Sequence, residues 1–92
     1  MIKTKRQKTG DVQVTFAVAD RGEDVHLVAD LNAWEPIPMK KRSNGTRSLA
    51  LTVPEGSAVR FRYCTASGRW FDDPEGDLEP NGYGETHTVI AV

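Results

Sequence analysis

The stretch DVQVTFAVA, residues 11–19, decides the fold class of this chain. Its apolar residues Val12, Val14, Phe16 and Val18 alternate with polar or small residues. A period of two places these four side chains on one face of a β-strand, whereas an amphipathic helix needs a period of about 3.6. The stretch therefore predicts a half-buried strand that covers one side of a core.

The same signals recur along the rest of the chain. Apolar residues alternate in SLALTV (48–53) and AVRFRYCT (58–65), while DVHLVAD (24–30) and THTVIAV (86–92) are rich in valine and isoleucine, which favour strands. Turn-forming residues separate these segments at Asn44-Gly45, Pro54-Glu55-Gly56 and Ser67-Gly68. Short strands at such spacing predict an all-β, antiparallel β-sandwich, with Phe16, Phe61 and Tyr63 in its core.

The length of 92 residues is that of a single small domain. We expect residues 11–92 to form the sandwich, and residues 1–10, which are basic, to form an edge strand or a mobile arm. The formal net charge of −1 disfavours a nucleic-acid partner, which needs a basic surface. A single cysteine, Cys64, and the lack of a membrane-spanning or secretory segment predict a cytoplasmic protein without a membrane partner.

The segment FDDPEGDLEPNGYGE, residues 71–85, is rich in turn residues and predicts one long loop. A glycosidase pair or a calcium site are conceivable for its carboxylates, but their spacing favours a solvated acidic surface. The carboxylates are Asp72, Asp73, Glu75, Asp77 and Glu79. Known catalytic and phosphate-binding motifs do not occur, so we predict a protein that is not an enzyme and uses no cofactor or metal.

Three aromatic residues fall in turn regions rather than in alternating strand positions. Trp34 lies in DLNAWEP, Trp70 follows the Ser67-Gly68 turn, and Tyr83 lies between two glycines. Such side chains either fold back as loop staples or stay exposed as flat platforms. A platform indole attracts the weakly positive C–H face of a sugar ring.

Four stretches in order carry a resemblance to a known family. They are VHLVADLNAWEP (25–36), LTVPEGSAVRFRY (51–63), SGRWFDDP (67–74) and PNGYGETHTVIAV (80–92). In these stretches, and in the basic residues after Met39, the sequence resembles the isoamylase-type early-set domains, or family-48 carbohydrate-binding modules. The glycogen-binding domain of the AMP-activated protein kinase β subunit is a member of this family. The resemblance covers roughly residues 10–92 and implies an immunoglobulin-like sandwich of the early-set type.

The resemblance also implies non-catalytic binding of α-1,4-glucans such as glycogen, starch or maltooligosaccharides. It places the sugar platform at Trp34 and Trp70, a hydroxyl contact at Arg62 and a clasping loop residue at Tyr83. His87 stands where the family has a sugar-contacting asparagine, and Glu85 stands where glycine or threonine is usual. The alternative is a protein-interaction module that keeps the fold without sugar binding, with a glycogen-metabolising enzyme or another protein as its partner.

Overall fold

The computed structural model describes residues 1–82 and 84–92, which form ten β-strands and one 3-10 turn at Asp30–Asn32. The strands are β1 (Ile2–Arg6), β2 (Asp11–Ala19), β3 (Val25–Ala29), β4 (Ile37–Pro38), β5 (Lys40–Lys41), β6 (Thr46–Pro54), β7 (Ala58–Thr65), β8 (Trp70–Phe71), β9 (Asp77–Pro80) and β10 (Thr86–Ala91). In the part of the chain that is described, no helix has the length and apolar character to cross a membrane.

Two antiparallel sheets face each other. The first sheet has the order β1-β2-β6-β5, and the second has the order β4-β3-β7-β10-β9, with β8 added to β7. The order β1-β2-β6-β5 corresponds to the ABED sheet of immunoglobulin-like domains. The order β3-β7-β10 corresponds to their CFG sheet. The predicted all-β, immunoglobulin-like antiparallel sandwich is therefore confirmed.

The alternating strands meet in a shared core, as their period requires. Phe16, Phe61 and Tyr63, the three aromatic residues predicted to be buried, are each fully buried. The Phe61 ring packs edge-on against both others, with its centroid 4.8 Å from Phe16 and 5.5 Å from Tyr63. Edge-to-face contacts of this kind are favoured by the ring quadrupole, so the aromatic residues specify how the two sheets fit together.

The prediction of one long loop over residues 71–85 is wrong. Phe71 belongs to β8, and Asp77–Pro80 forms β9, which pairs with β10 at the edge of the second sheet. The side chains of β9 are mostly exposed, so the strand has no alternating hydropathy that a sequence pattern could reveal. Backbone pairing with β10 alone makes it a strand.

The expectation of a solvated acidic surface also fails for part of this segment. Asp73 is only 1 % exposed and accepts a hydrogen bond of 2.6 Å from the Tyr63 hydroxyl. The backbone N–H of Glu75 donates to the other carboxylate oxygen of Asp73 at 2.9 Å. The backbone N–H of Asp73 donates to Thr88 Oγ1 at 3.0 Å. Asp73 is buried because it satisfies a core tyrosine, since a buried carboxylate needs such partners.

The N-terminal segment takes the first of the two forms expected for it. Ile2–Arg6 pairs with β2 as β1 and lies at the edge of the first sheet. Ile2 packs against the core, while Lys3 and Lys5 are exposed. Lysines are common on such edges because they discourage uncontrolled pairing with other strands.

Candidate functional site

Two tryptophans, Trp34 and Trp70, line one depression on the outer face of the second sheet. Trp34 and Trp70 are each 46 % exposed, which is unusual for so large an aromatic side chain. The depression has a volume of about 560 Å³. Its lining residues are Val28, Trp34, Arg62, Trp70, Asn81, Glu85 and His87.

Strand register brings these side chains to one face. Inward residues of β3, β7 and β10 enter the core, so their neighbours along each strand point outward. Val28 on β3 lies opposite Arg62 on β7, and His87 on β10 lies opposite Glu79 on β9. Residues far apart in sequence thus form a row across the outer face of the sheet.

A compact turn holds Trp34 at the end of β3. The backbone N–H of Trp34 donates to the Ala29 carbonyl at 2.9 Å, and that of Ala33 donates to the Asp30 carbonyl at 3.1 Å. These two bonds form a Schellman motif at the end of the 3-10 turn Asp30–Asn32. Ala33 and Trp34 have φ values of 55° and 61°, in the left-handed region where glycine is usual. The turn therefore maintains a strained backbone, at a cost of order 1–3 kcal/mol per residue, that presents the indole at the surface.

Trp70 is presented by the hairpin of β7 and β8. Gly68 in the connecting turn has a φ of 88°, a conformation that suits glycine. Trp70 then lies opposite Cys64 on β7. The guanidinium carbon of Arg62 lies 5.4 Å from the centroid of the Trp70 ring, which is a cation–π distance. Trp70 and Arg62 therefore form one unit of the site.

Arg62 has spare hydrogen-bonding capacity next to the depression. Its Nη1 donates to Glu85 Oε2 at a long 3.4 Å, and its Nε lies 3.6 Å from Asp72 Oδ1, too far for a hydrogen bond. Among the described residues this buried Nε has no hydrogen-bond partner. A guanidinium has only N–H donors, so Arg62 is suited to donate a hydrogen bond to a ligand or water oxygen.

His87 is a buried residue of the site. It is 8 % exposed, and its ring centroid lies 6.0 Å from that of Trp34. Its Nε2 lies 2.8 Å from Glu79 Oε1, and Arg60 Nε donates to the same oxygen at 2.7 Å. Hydrogen bonding to Arg60, and then to His87, lowers the pKa of Glu79 below its ordinary value.

Five of the six residues singled out from the sequence lie around the depression: Trp34, Trp70, Arg62, Glu85 and His87. The sixth, Tyr83, lies outside the described residues. Sequence reasoning missed Val28, Asn81 and Glu79 as members of the site. Glu79 carried no usable signal, because its role depends on the unexpected strand β9. Among the described residues no group of three metal-ligating side chains could hold a metal ion.

Comparison with known proteins adds information on the fold only. No protein-family model and no curated protein matches this sequence. Among solved structures, the chain is similar to ferric enterobactin esterase from Salmonella typhimurium, with a TM-score of 0.78 and 10 % sequence identity. The similarity covers 99 % of this chain and 34 % of the esterase chain, so this protein spans about a third of the esterase.

Proposed function

We propose that this protein binds α-1,4-linked glucans, such as glycogen, starch or maltooligosaccharides, without catalysing a reaction on them. The observation that carries the proposal is the pair of half-exposed tryptophans, Trp34 and Trp70, that line one depression. The ordered resemblance to the isoamylase-type early-set domains supports the same ligand class. A cytoplasmic glucan or a glycogen-metabolising partner would suit such a module.

The chemistry of the lining suits a sugar better than an apolar ligand. Indole faces stack on the C–H face of a pyranose ring, while hydroxyl groups need both donors and acceptors. Arg62 supplies donors, Glu85 supplies acceptors, and the site also holds an amide, Asn81. A volume of about 560 Å³ is within the range of small-ligand sites and leaves room for a short oligosaccharide.

The site favours a curved chain over a flat one. Trp34 is held in a turn and Trp70 on a hairpin strand, so the two platforms belong to separate elements. A helical α-1,4-glucan can wrap over two such platforms, whereas cellulose is flat. If each indole contributes about 1–3 kcal/mol, as an aromatic platform does for a stacked base, the dissociation constant falls between millimolar and tens of micromolar.

A titration with maltoheptaose tests the proposal. We expect the indole N–H signals of both Trp34 and Trp70 to shift in two-dimensional NMR spectra and to saturate. Cellohexaose at the same concentrations is the matched control and should leave both signals unchanged. If several millimolar maltoheptaose moves neither signal, the glucan-binding proposal is wrong.

A protein-interaction module is the second candidate, and the edge strand β1 favours it. Among the described residues β1 pairs with β2 on one side only, so its other edge has backbone groups that can pair with an added strand. Lys3 and Lys5 give this edge a positive charge that suits an acidic partner segment. Absence of any sugar response, together with capture of an acidic peptide along β1 in NMR shift mapping, would favour this candidate.

A further inference from the structure

We propose that Glu79 is a positioning residue that holds His87 in the tautomer protonated at Nε2, so that Nδ1 accepts a hydrogen bond from the ligand. The inference rests on the proposed carbohydrate-binding function. It adds a ligand requirement and a form of regulation: the group facing His87 must be a hydrogen-bond donor such as a sugar hydroxyl, and acidification must weaken binding.

The tautomer follows from the chemistry of the partner. His87 and Glu79 are cross-strand neighbours on β10 and β9, and Nε2 lies 2.8 Å from Glu79 Oε1. An ionised carboxylate can only accept hydrogen bonds. Nε2 must therefore carry a proton, both in the neutral ring and in the cation. In the neutral ring Nδ1 is then left with a lone pair.

Glu79 stays ionised because Arg60 holds it in that form. Arg60 Nε donates to Glu79 Oε1 at 2.7 Å, and the lowered pKa of Glu79 reflects this bond first. Asp30 in turn positions Arg60, since its Oδ1 accepts from the Arg60 backbone N–H at 3.2 Å and its Oδ2 lies 3.9 Å from Nη1. The acceptor character of Glu79 is thus maintained throughout the pH range in which imidazoles titrate.

In this proposal the ligand contact falls to the other nitrogen of His87. Within residues 1–82 and 84–92, Nδ1 makes no hydrogen bond, and the ring lines the depression beside Trp34. A hydroxyl that donates to Nδ1 would lie next to a sugar stacked on that indole. His87 therefore makes the site specific for a sugar whose hydroxyl group can donate to Nδ1.

Protonation reverses the role of Nδ1. The cation can only donate, so a hydroxyl that donated to Nδ1 loses its acceptor. The charged groups near the ring come from β9, from β7, from the segment after β8 and from the segment before β10. They are Glu79, Arg60, Arg62, Asp72 and Glu85. Protonation of the ring on acidification should therefore weaken binding.

The tautomer can be measured without any sugar. Long-range ¹H–¹⁵N NMR spectra at pH 8 should show His87 with a protonated Nε2 and an unprotonated Nδ1. In Glu79→Gln the amide can donate as well as accept, so the single tautomer should give way to a mixture. A protonated Nδ1 in the neutral wild-type ring, or an unchanged tautomer in Glu79→Gln, would overturn the positioning role.

Maltoheptaose titrations at pH 8.0 and 5.5 test the consequence for binding. Loss of one hydrogen bond predicts about three- to tenfold weaker binding at pH 5.5. His87→Asn, whose amide does not titrate, should bind equally at both pH values. His26→Asn is the matched control, because His26 lies on β3 and does not line the depression, and it should keep the wild-type pH dependence.

The outcomes separate this inference from the proposed function. Wild-type binding of equal strength at both pH values refutes the role of His87 and leaves the glucan platform intact. Tighter binding at pH 5.5 refutes it as well, since Nδ1 would then be acting as a donor. Absence of binding at both pH values overturns the proposed function and the ligand part of this inference, while the tautomer measurement still decides the role of Glu79.

Discussion

Replacing Trp70 with alanine should remove one of the two sugar platforms while leaving the protein folded. Trp70 is 46 % exposed, so about half of its surface is already in contact with solvent. The ring also contacts the Arg62 guanidinium, whose carbon lies 5.4 Å from the ring centroid. The substitution therefore separates a surface role of this residue from a core role.

The stability cost can be worked from the exposure. An aromatic side chain covers about 200 Å² when buried, so the buried half of Trp70 amounts to about 100 Å². At about 25 cal/mol per Å², its removal costs about 2.5 kcal/mol. Loss of the cation–π contact with Arg62 adds about 0.5–1 kcal/mol. The total is below the typical stability of about 5–15 kcal/mol for a folded domain, so a folded variant is expected.

Trp70→Ala should also weaken the binding of the sugar. A stacking platform worth about 1–3 kcal/mol predicts about five- to 150-fold weaker binding of maltoheptaose, since tenfold corresponds to about 1.4 kcal/mol. The assay is a titration that follows the indole N–H signal of Trp34, combined with thermal unfolding of each variant. Leu78→Ala is the matched control, because Leu78 is 63 % exposed on β9 and does not line the depression.

Two results would refute this reasoning. If Trp70→Ala does not unfold cooperatively, Trp70 is a structural residue despite its exposure. If the variant is folded and binds maltoheptaose as tightly as wild type and Leu78→Ala, then Trp70 is not part of the platform.

Two further predictions concern the core beside the site. Gly76→Ala should destabilise the fold by about 1–3 kcal/mol in urea denaturation, because the added Cβ would overlap Thr88 Cγ2. Thr88 is fully buried, and its hydroxyl oxygen accepts a hydrogen bond from the Asp73 backbone N–H. An unchanged unfolding midpoint would show that Thr88 can rotate away. Burial, followed by the hydrogen bond and charge of Asp73, raises the pKa of Tyr63 well above its usual range, so stability should fall as the pH rises above about 10, where an unfolded tyrosine ionises. In a Tyr83→Phe variant, tyrosinate absorbance at 295 nm should therefore appear only together with unfolding, and a rise in the folded protein would contradict this.

The fold was predictable because its signals are local. The alternation in β2 and β7 needs only the period of the backbone, and it correctly placed Phe16, Phe61 and Tyr63 in the core. The turn residues Asn44-Gly45 and Ser67-Gly68 likewise predicted the hairpins β5–β6 and β7–β8. Each of these signals is contained within a few neighbouring residues.

The candidate site was predictable only in part. Resemblance to the early-set family indicated Trp34, Trp70, Arg62, Glu85 and His87, and the structure brings these five together. Their surroundings were not predictable. The bond between His87 and Glu79 depends on β9, a strand whose exposed side chains give no periodic pattern.

The sequence by itself determined the fold class, the positions of the principal strands and the presence of two tryptophans outside the alternating pattern. Only the tertiary structure decided that Asp73 is buried beneath Tyr63 and that Glu79 faces His87. The physical reason is the range of the interactions. Strand periodicity and turn conformation arise from neighbouring residues, whereas the burial of a carboxylate or the tautomer of a histidine depends on partners that long-range pairing between strands brings close.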